Sequence, residues 1–421
     1  MNILIVSQYF WPENFRINDL VRGLVTRGHR ITVLTGQPNY PSGRLFENYG
    51  WNHPREQTFA GARVLRVPLV PRRDGGHLRL ILNYLSFMFA ASWGVFTRLN
   101  SRDRFDAIFV FEPSPVTVGV PAALARWRFK APILFWVLDL WPESLSATGA
   151  ISSPWILSLV DRGVRWIYAQ CARILVQSRA FTPNIEKLGV PRERINYFPN
   201  WTESEYEGAG IDLDITNAAG LESEHSDEAS LRIVYAGNIG VAQDFPTIIG
   251  AAEIVAKLLP RVRWIVAGDG RMGSWVRDEV ARRGLNEQFK FLGQRPSVEM
   301  PELFSTADAL LVTLRPAPIF AQTIPGKVQS YLAAGKPILA MLDGEGSRVI
   351  DESGGGLTCM AGDAPAMAQI VARLAAMSGL ERQAMGEKGR DYAYREFGRE
   401  MLFDRLESWL IKVVEECRNK E

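Results

Sequence analysis

Two kinds of apolar pattern alternate along this chain. Short, continuous apolar runs, such as residues 2–7 (NILIVS) and 30–35 (RITVLT), are typical of strands that are buried on both faces of a parallel sheet. Between these runs, apolar residues recur at the spacing of one helix face, as in residues 17–28. Further strands are predicted at 62–68, 107–113, 132–139 and 172–178. This order predicts a doubly wound α/β domain in the first half of the chain.

A second series of the same kind follows an acidic stretch. Residues 203–230 contain nine Asp or Glu and no Lys or Arg, which is typical of a solvated linker or a surface insertion. Strands are then predicted at 231–237, 261–268, 289–293, 307–315 and 337–342, with helices between and after them. The predicted organisation is therefore two Rossmann-like domains, 1–200 and 231–395, an acidic linker or insertion at 201–230, and a C-terminal helix at 396–421 that returns to the first domain. Ligands of such folds bind beyond the carboxyl ends of the strands, here in a cleft that both domains are expected to face.

The charge of the chain is distributed unevenly. The net charge of the 421 residues is only +2, but residues 1–180 carry 21 Arg or Lys against 11 Asp or Glu. A basic half suggests an anionic partner such as a membrane surface, a phosphorylated lipid or nucleic acid, although solvated arginines on helix surfaces would explain many of these charges. The three cysteines and four histidines are not at metal-ligand spacing. They indicate neither a disulfide framework nor a protein-built metal centre, and they fit a reducing cytoplasm.

One apolar stretch, residues 77–99, approaches the length of a membrane span. Asn83 and Ser86 interrupt it, and Arg79 and Arg98 bracket a segment at the short end of what a span needs. Three interpretations remain open. The stretch is a helix packed inside the first domain, a helix partly docked into a bilayer surface or, least favoured, a true span.

Two common nucleotide-binding signatures are missing from the sequence. The loop after the first predicted strand contains no glycine, so the G-x-G-x-x-G fingerprint of dinucleotide sites is not found there. The Gly335–Lys336 pair does not complete a Walker A loop, because Ser330 stands where that motif has glycine and Pro337 where it has Ser or Thr. A dinucleotide site at the first loop and a P-loop are therefore disfavoured.

Glycines instead close three predicted strands of the second half. Such turns let a ligand approach the backbone closely, and although any one of them could be purely structural, three on one sheet edge are harder to dismiss. Pro325, Gly326 and Lys327 then open a helix, where backbone N–H groups and an ammonium group could bind a diphosphate without a metal. The candidate residues in these segments are Gly237, Asn238, Gly240, Gly268, Asp269, Gly270, Arg271, Gln294, Pro325, Gly326 and Lys327.

The first half offers acidic groups at predicted strand ends. Asp139, in the segment VLDLWPES, could act as a base or orient a hydroxyl group, or it could simply cap the next helix. Glu112 ends another predicted strand and leaves the same two interpretations open. The candidate acceptor-binding residues of this half are Asn14, Arg16, Asn39, Tyr40, Glu112, Trp141 and Glu143.

These motifs, in this order, resemble glycosyltransferase family 4. The resemblance rests on NILIVSQYFWPE, RGHRITVLTG, DLWPE, FPNW, YAGNIG, AGDG and the Pro-x-Lys helix followed by AAGKP, and it spans nearly the whole chain. Within the family, the chain is most similar to bacterial O-antigen and capsule transferases proposed to move N-acetylated deoxyamino sugars such as N-acetyl-L-fucosamine. The resemblance implies a GT-B fold, a nucleotide-sugar donor in the second domain, an acceptor in the first, and retention of the anomeric configuration without a metal or other cofactor.

The chain departs from the family pattern where the family carries charges. Many members have two glutamates around the phosphate-facing helix and two basic residues in the first loop of the second domain. Neutral residues stand at these positions here, namely Gln322, Ser330, Asn238 and Gln243. Gln243 and Ser330 are therefore added to the candidate donor-binding residues. Lys327 is the cation best placed to compensate, with Arg315 and Arg271 as weaker candidates.

The leading hypothesis is a retaining transferase that uses a UDP-sugar and a sugar acceptor on polyprenyl diphosphate. Lys327 would neutralise the leaving diphosphate, and Asp139 would orient or deprotonate the acceptor hydroxyl. Peripheral contact with the cytoplasmic face of the membrane would explain the basic half and the stretch 77–99, and no nucleic-acid partner is expected. One alternative is a UDP-sugar epimerase of the same architecture, which needs an internal acid/base set that often includes His. The other is a non-catalytic membrane-surface or nucleic-acid scaffold, which rests on the charge asymmetry alone.

Overall fold

The computed structural model describes residues 1–50, 55–73, 76–100, 102–147, 153–202 and 231–419. The chain divides into two compact units, Met1–Pro199 together with Glu400–Glu421, and Asn200–Arg399. The predicted acidic linker at 201–230 lies almost wholly outside the described residues, because only its first two residues are described.

The first unit is an α/β fold. Its strands are β1 (Asn2–Ser7), β2 (Arg30–Gly36), β3 (Glu56–Phe59), β4 (Ala62–Val67), β5 (Ala107–Glu112), β6 (Ile133–Val137), β7 (Arg173–Val176) and β8 (Ile195–Tyr197). Its first helices are α1 (Arg16–Thr26), α2 (His77–Thr97), α3 (Gly119–Phe129), α4 (Glu143–Ala147), α5 (Pro154–Ala169) and α6 (Thr182–Lys187).

These strands form one sheet in the order β3-β4-β2-β1-β5-β6-β7-β8. Neighbouring strands are parallel except for β3 and β4. In the middle of the sheet Ile5 lies between Val33 on β2 and Phe109 on β5, and all three side chains are fully buried. Burial on both faces explains why the central strands are continuous apolar runs. The carboxyl ends of β2, β1, β5 and β6 consequently lie side by side at one edge.

The second unit repeats the plan with a parallel sheet. Its strands are β9 (Arg232–Ala236), β10 (Arg263–Ala267), β11 (Phe289–Gly293), β12 (Ala309–Thr313), β13 (Ile338–Met341) and β14 (Gly356–Cys359), in the order β11-β10-β9-β12-β13-β14. Its helices are α7 (Phe245–Leu258), α8 (Gly273–Arg282), α9 (Met300–Ser305), α10 (Pro318–Ala321), α11 (Gly326–Ala333), α12 (Glu345–Ser353), α13 (Ala364–Ala376) and α14 (Gly379–Phe397). Apolar residues form a buried cluster on each face of the sheet, one around Trp264 and one around Tyr331.

The last helix, α15 (Arg399–Arg418), packs on the first unit. Arg27, just after α1, forms ion pairs with Glu400 and Asp404 at 2.6 Å each and with Glu407. Because these carboxylates are partly exposed, the pairs contribute little to stability and chiefly fix the position of the helix.

Three strands are not predicted from the sequence, namely β3, β8 and β14. Each lies at an edge of its sheet and is short and partly exposed, so no buried apolar run marks it. The predicted strand 132–139 is also too long. β6 ends at Val137, and the chain leaves the sheet there, so that Asp139 lies in the loop that follows and not on the strand.

The apolar stretch 77–99 forms α2. Among the described helices, its segment Leu78–Thr97 is long and apolar enough to cross a membrane, and 33% of the segment tested is buried inside the protein. Its inner face packs on the sheet through side chains such as Phe87 and Val95, which are fully buried. The Asn83 side chain donates a hydrogen bond to the carbonyl of Val70 at 2.7 Å. One face of α2 is therefore part of the core of the first unit.

Candidate active site

Three glycine turns meet at the carboxyl edge of the second sheet, where β9, β10 and β11 end side by side. The amide of Gly237 donates to the last carbonyl of β10 at 2.8 Å, and the amide of Gly268 donates to the carbonyl of Gly293 at 2.7 Å. The amide of Ile239 donates to the carbonyl of Asp269 at 3.0 Å. The turns that the sequence marks separately therefore form one continuous backbone surface.

Glycine is required where these turns touch. A Cβ atom on Gly268, whose φ is +147°, would lie 1.9 Å from the carbonyl oxygen of Gly237. A Cβ atom on Gly270 would lie 2.5 Å from the carbonyl oxygen of Ile239. Both distances are shorter than side chains tolerate, so only glycine allows this approach. The same lack of side chains leaves the backbone open to a ligand.

Lys327, at the start of α11, lies across the first of these turns. A Cβ atom placed on Gly237 would be 2.7 Å from its Cε and 2.9 Å from its Nζ. The Nζ atom lies 3.6 Å from the centroid of the Tyr235 ring. Among the residues that the structure describes, none forms a hydrogen bond or an ion pair with this ammonium group, and burial lowers the pKa of Lys327 to about 7. A desolvated cation without a counter-ion is a natural place for an anion to bind.

Polar side chains shape the turns around Lys327. The Oε1 atom of Gln243 accepts from the amide of Gly240 at 3.1 Å and from Nδ2 of Asn238 at 3.5 Å. The Oδ1 atom of Asp269 accepts from the amide of Gly270 at 2.8 Å. The structure therefore brings these five predicted donor-side residues together, and the side chains of Gln243 and Asp269 bind the turns themselves.

The other donor-side candidates differ in burial. Arg271 and Gln294 are exposed, and Ser330 is buried about one turn inside α11. The guanidinium group of Arg315 lies 5.9 Å from the centroid of the Phe320 ring. Arg271 and Arg315 are exposed, whereas the Lys327 ammonium group is desolvated against Gly237 and the Tyr235 ring.

Two tyrosines that sequence reasoning missed complete this site. Tyr235 on β9 supplies the ring beside Lys327, and its hydroxyl donates to the carbonyl of Asn238. The Tyr331 hydroxyl on α11 accepts from the amide of Ala236 at 2.9 Å and lies 3.2 Å from the carbonyl oxygen of the same residue. Both tyrosines look like ordinary core positions in the sequence. Together they fix the start of α11, and hence Lys327, against the end of β9.

In the first unit, the loops after β1, β2, β5 and β6 each contain a cis prolyl bond. Asp139 lies in the loop after β6 and is partly exposed. Burial raises its pKa to about 6, although hydrogen bonding to Ser144 and Ser114 acts in the opposite direction. A carboxylate with such a pKa is a suitable proton acceptor close to neutral pH.

Glu112, the last residue of β5, is fully buried. Its carboxyl oxygens have no hydrogen-bond partner of normal geometry within the described part of the chain. Burial, together with the charge of Asp139, raises the pKa of Glu112 well above its ordinary value, and the amides of Asp139 and Leu138 offset only part of this effect. The uncharged form of Glu112 is therefore favoured. Glu112 has no exposed surface and lies beneath the loops.

Glu112→Gln should stabilise the folded protein near neutral pH. In the unfolded chain the Glu112 pKa is about 4.5, so above that pH folding must bind a proton, and stability falls as the pH rises toward the raised pKa of the folded state. Glutamine removes this proton uptake. We expect thermal unfolding to show a higher Tm for the variant near neutral pH and a much smaller difference near pH 4.5. Equal differences at both pH values would contradict a buried neutral acid.

An aromatic cluster surrounds Arg72 near the loop of Asp139. The Arg72 guanidinium lies 5.1, 5.7 and 5.4 Å from the ring centroids of Tyr9, Tyr40 and Tyr84. The Tyr84 ring lies 6.3 Å from that of Trp141. Sequence reasoning singles out Tyr40 and Trp141 but misses the other three residues, because they come from segments far apart in the chain and none stands in a recognised motif.

Glu13, which sequence reasoning also missed, fixes the loop after β2. Its Oε1 atom accepts from the amides of Asn39 and Tyr40 at 2.8 Å each, and its Oε2 atom accepts from the amide of Phe10 at 3.2 Å. Burial raises the pKa of Glu13 despite these bonds. Asn39 is fully buried and positions the loop, whereas Tyr40 is exposed.

The remaining acceptor-side candidates lie near the starts of helices. Arg16 is the first residue of α1, and Asn14 is exposed just before it. Glu143 is the first residue of α4, and its Oε1 atom accepts from Nδ2 of Asn184 at 3.2 Å. Within the described residues, no group of three or more His, Cys, Asp or Glu is arranged to bind a metal ion.

Comparisons with known proteins match both halves of the chain. Residues 14–201 match the family of glycosyl transferase 4-like domains, and residues 230–377 match the family of glycosyl transferases group 1. The two matched domains together span most of the chain, which is therefore a glycosyltransferase. The transferase is 26% identical over 309 residues to the probable glycosyltransferase WbjE of Pseudomonas aeruginosa. This alignment covers 70% of this chain and 74% of WbjE. It is 25% identical over 345 residues to the putative colanic acid biosynthesis glycosyl transferase WcaI of Escherichia coli K12. This alignment covers 80% of this chain and 82% of WcaI.

Solved structures confirm the fold of this glycosyltransferase. Anabaena Alr3699/HepE, solved in complex with UDP, matches with a TM-score of 0.70 and 16% identity over 98% of this chain and 100% of HepE. WaaG, a glycosyltransferase involved in lipopolysaccharide biosynthesis, matches with a TM-score of 0.63 and 14% identity over 96% of this chain and 98% of WaaG. The predicted GT-B fold, with two α/β domains, is therefore confirmed.

Proposed function

We propose that this glycosyltransferase moves a sugar from a UDP-sugar to a sugar acceptor on polyprenyl diphosphate, with retention of the anomeric configuration, in the synthesis of a bacterial surface polysaccharide. The observation that carries the proposal is the Lys327 ammonium group, a desolvated cation on the surface formed by the glycine turns that pairs with no carboxylate of the described residues. The similarity to WcaI, whose name refers to colanic acid biosynthesis, supports the class of product.

On the donor side, the diphosphate would bind over the glycine turns. Lys327 and the free amides at the start of α11 would donate to its phosphate oxygens. As the bond between the anomeric carbon and the phosphate oxygen breaks, the UDP leaving group gains negative charge, and a fixed ammonium group stabilises this charge most in the transition state. The complex of HepE with UDP supports a uridine nucleotide as the ligand of this fold. We propose that Lys327 supplies this charge without a metal ion.

On the acceptor side, a hydroxyl oxygen would form the new bond to the anomeric carbon from the face that UDP leaves, which retains the configuration. Its proton would pass to Asp139 or to the departing phosphate oxygen. Asp139 is suited to accept or orient this proton because its pKa of about 6 leaves it mostly ionised at neutral pH. The exposed ring of Tyr40 offers an apolar surface on which a sugar could stack.

The donor sugar is proposed to be an N-acetylated deoxyamino hexose, on the strength of the motifs shared with transferases of that kind. An acceptor on polyprenyl diphosphate stays in the bilayer. The protein would therefore work as a peripheral protein on the cytoplasmic face of the cytoplasmic membrane.

Gly237→Ala should weaken UDP binding by about tenfold or more, because the new methyl group displaces the ammonium group that we assign to the diphosphate. Isothermal titration with UDP measures this loss. Gly284→Ala is the matched control, since Gly284 also has a positive φ of +69°, but no atom of the described residues lies within 4 Å of the added Cβ. It should lose about 1 kcal/mol of stability and bind UDP normally. Unchanged UDP affinity in Gly237→Ala would contradict the assignment of Lys327.

The proposed function is tested by a transfer assay with the full chain. A panel of UDP-sugars is offered with a lipid extract that contains polyprenyl-diphosphate-linked sugars, and products are identified by a mass increase of one sugar. The anomeric proton in the NMR spectrum of the product reports retention, and a parallel reaction with EDTA reports metal independence. UDP-sugar isomerised without acceptor would indicate the epimerase instead, and a protein that binds no UDP would refute the proposed donor.

A further inference from the structure

We propose that the first unit docks on a bilayer containing anionic lipid through one exposed face, which we call the apolar outer face. It is formed by Leu82, Leu85, Phe89, Trp93 and Phe96 on α2 and by Trp127 on α3. This inference concerns where the protein sits, and it holds or fails independently of the sugar that is transferred.

The helix α2 has two apolar faces. The inner face is buried against the sheet, but on the opposite side Phe89 and Trp93 are 67% and 71% exposed. The exposed residues recur every three or four positions from Leu82 to Phe96, so they form one stripe about 21 Å long. Between Arg79 and Arg98 the helix contains no charged residue. A surface helix normally turns polar residues outward, and a continuous apolar stripe marks an interaction surface.

The stripe continues onto the neighbouring helices. Trp127 on α3 is 75% exposed, and its ring centroid lies 6.3 Å from that of Phe96. The helix α3 packs against both α2 and α5, and right-handed crossovers between parallel strands put α3 and α5 on the same side of the sheet. On α5, Trp155 and Trp166 are also exposed. Exposed tryptophan or phenylalanine side chains are therefore found on three helices of one layer.

The charges of α2 and α3 have one sign. The residues of α2 and α3 include no Asp or Glu, whereas Arg79 and Arg98 stand near the ends of α2, and Arg126 and Arg128 flank Trp127. The guanidinium of Arg128 lies 5.7 Å from the centroid of the Phe96 ring. Tryptophans and arginines around an apolar stripe are typical of helices that lie in the membrane interface, where arginines meet anionic headgroups.

A basic pocket beside Trp127 adds to this complementarity. It has a volume of about 660 Å³ and is lined by the cationic side chains of Arg126, Lys130 and Arg194, among others. The carboxylate that also lines it, Glu416, is paired with Arg173 at 2.8 Å. The pocket therefore has a net positive charge next to an exposed tryptophan, as expected where an anionic headgroup approaches.

Two other occupants of the apolar outer face fit less well. A symmetric dimer of two copies through this face would bring the same arginines together, with no acidic residue on α2 or α3 to pair with them. A membrane span would have to pull Phe87 and Val95 out of the core and break the hydrogen bond of Asn83 to Val70. A helix lying in the plane of the bilayer surface keeps all of these contacts.

Docking in this way places the candidate acceptor loops next to the bilayer. Tyr84 is on the same helix as the stripe, and its ring contacts that of Trp141, two residues after Asp139. If the proposed acceptor is correct, one helix thus contacts the lipid with its outer face and the acceptor-side loops with its first turns.

The test is co-sedimentation of the full chain with vesicles of phosphatidylcholine alone and of phosphatidylcholine mixed with phosphatidylglycerol. We expect binding to the mixed vesicles, weakened by salt, and little binding to phosphatidylcholine alone. The double variant Phe89→Ser/Trp93→Ser should bind at least about tenfold more weakly, because each change removes a large apolar side chain from the lipid. The matched control is Val298→Ser/Leu380→Ser, which changes two residues of the second unit that are 72% and 79% exposed. It should bind as the wild type does.

Four results would overturn the proposal. The first two are that the wild-type protein binds neither kind of vesicle, or that the Phe89→Ser/Trp93→Ser variant binds the mixed vesicles as well as the wild type does. The third is that the wild-type protein is a dimer and the same double variant is a monomer. The fourth is that alkaline carbonate does not release the bound protein from the vesicles, as expected of a membrane span. Both double variants should keep the wild-type Tm, because all four side chains are exposed.

UDP binding in solution is measured on the same preparations. A protein that binds UDP but no vesicles refutes the docking alone, and one that binds vesicles but no UDP refutes the proposed donor alone.

Discussion

Lys327→Met should keep the fold and lose about 100- to 1000-fold in turnover. The neutral side chain still fills the space beside Tyr235, but nothing replaces the ammonium group that we assign to the leaving diphosphate. UDP should also bind about 10- to 100-fold more weakly, since a charge-assisted hydrogen bond is lost. Transfer assays with saturating donor and isothermal titration with UDP measure the two effects separately.

The same variant should be more stable than the wild type without ligand. The pKa of Lys327 falls from its ordinary 10.5 to about 7 on folding. Below pH 7 the side chain is charged in both states, so the free-energy cost of burying the charge is greatest there. This cost decreases as the pH rises from 7 to 10.5, so the free energy of unfolding of the wild type should rise across that window. Lys327→Met should lack this rise. UDP should reverse the ranking, because it stabilises only the protein that binds it well.

Lys336→Met is the matched control for Lys327→Met. Lys336 lies just after α11, and burial also lowers its pKa, but its ammonium group donates to the carbonyl of Ser305 at 2.7 Å. It should lose stability and keep nearly normal turnover per folded molecule. Turnover of Lys327→Met within about threefold of the wild type would remove Lys327 from the proposed mechanism.

Asp139→Asn should lower turnover by about 100- to 10,000-fold and leave UDP binding unchanged. Asparagine keeps the shape of the side chain but neither accepts the acceptor proton nor attracts its hydroxyl group as strongly. UDP affinity should not change, because the proposed donor site lies in the other unit. The measurement is the rate at saturating donor and acceptor, together with UDP titration.

The pH profile distinguishes a proton acceptor from a structural aspartate. The pKa of Asp139 is about 6, so wild-type turnover should fall about tenfold per unit as the pH drops below that value and the carboxylate is protonated. In Asp139→Asn this acidic limb should disappear from the residual rate. Glu112→Gln is the control, because Glu112 is buried and favours its uncharged form, and it should keep the wild-type profile. An unchanged acidic limb in Asp139→Asn would show that another group titrates.

The buried strands were predictable because burial on both faces requires a continuous run of apolar residues, which is visible in the local sequence. β1 has the predicted bounds, and the other central strands differ at their ends by one or two residues. The edge strand β11 also has the predicted bounds, although it is only partly buried. The edge strands β3, β8 and β14 were not predictable, since their pairing depends on residues elsewhere in the chain. The helix α2 shows most clearly what a local pattern cannot predict, because an apolar run indicates that a helix forms but not which of its faces is buried.

The donor-side site was partly predictable for the same reason. Glycine turns and a Pro-Gly-Lys helix start are local signals, and the sequence alone identified Lys327 as the candidate cation. It could not identify Tyr235 and Tyr331, which are buried side chains with no motif of their own. Their roles arise only where α11 packs against the end of β9.

By itself the sequence determined that the chain is two doubly wound α/β domains, that glycine turns close the strands of the second, and which family its motifs resemble. These features depend on neighbouring residues. Only the tertiary structure decided that burial lowers the pKa of Lys327 to about 7 with no counter-ion among the described residues, that Glu112 is buried under the loop of Asp139, and that Arg72 lies among three tyrosines. Desolvation and charge pairing depend on which distant groups meet, and only the folded chain brings them together.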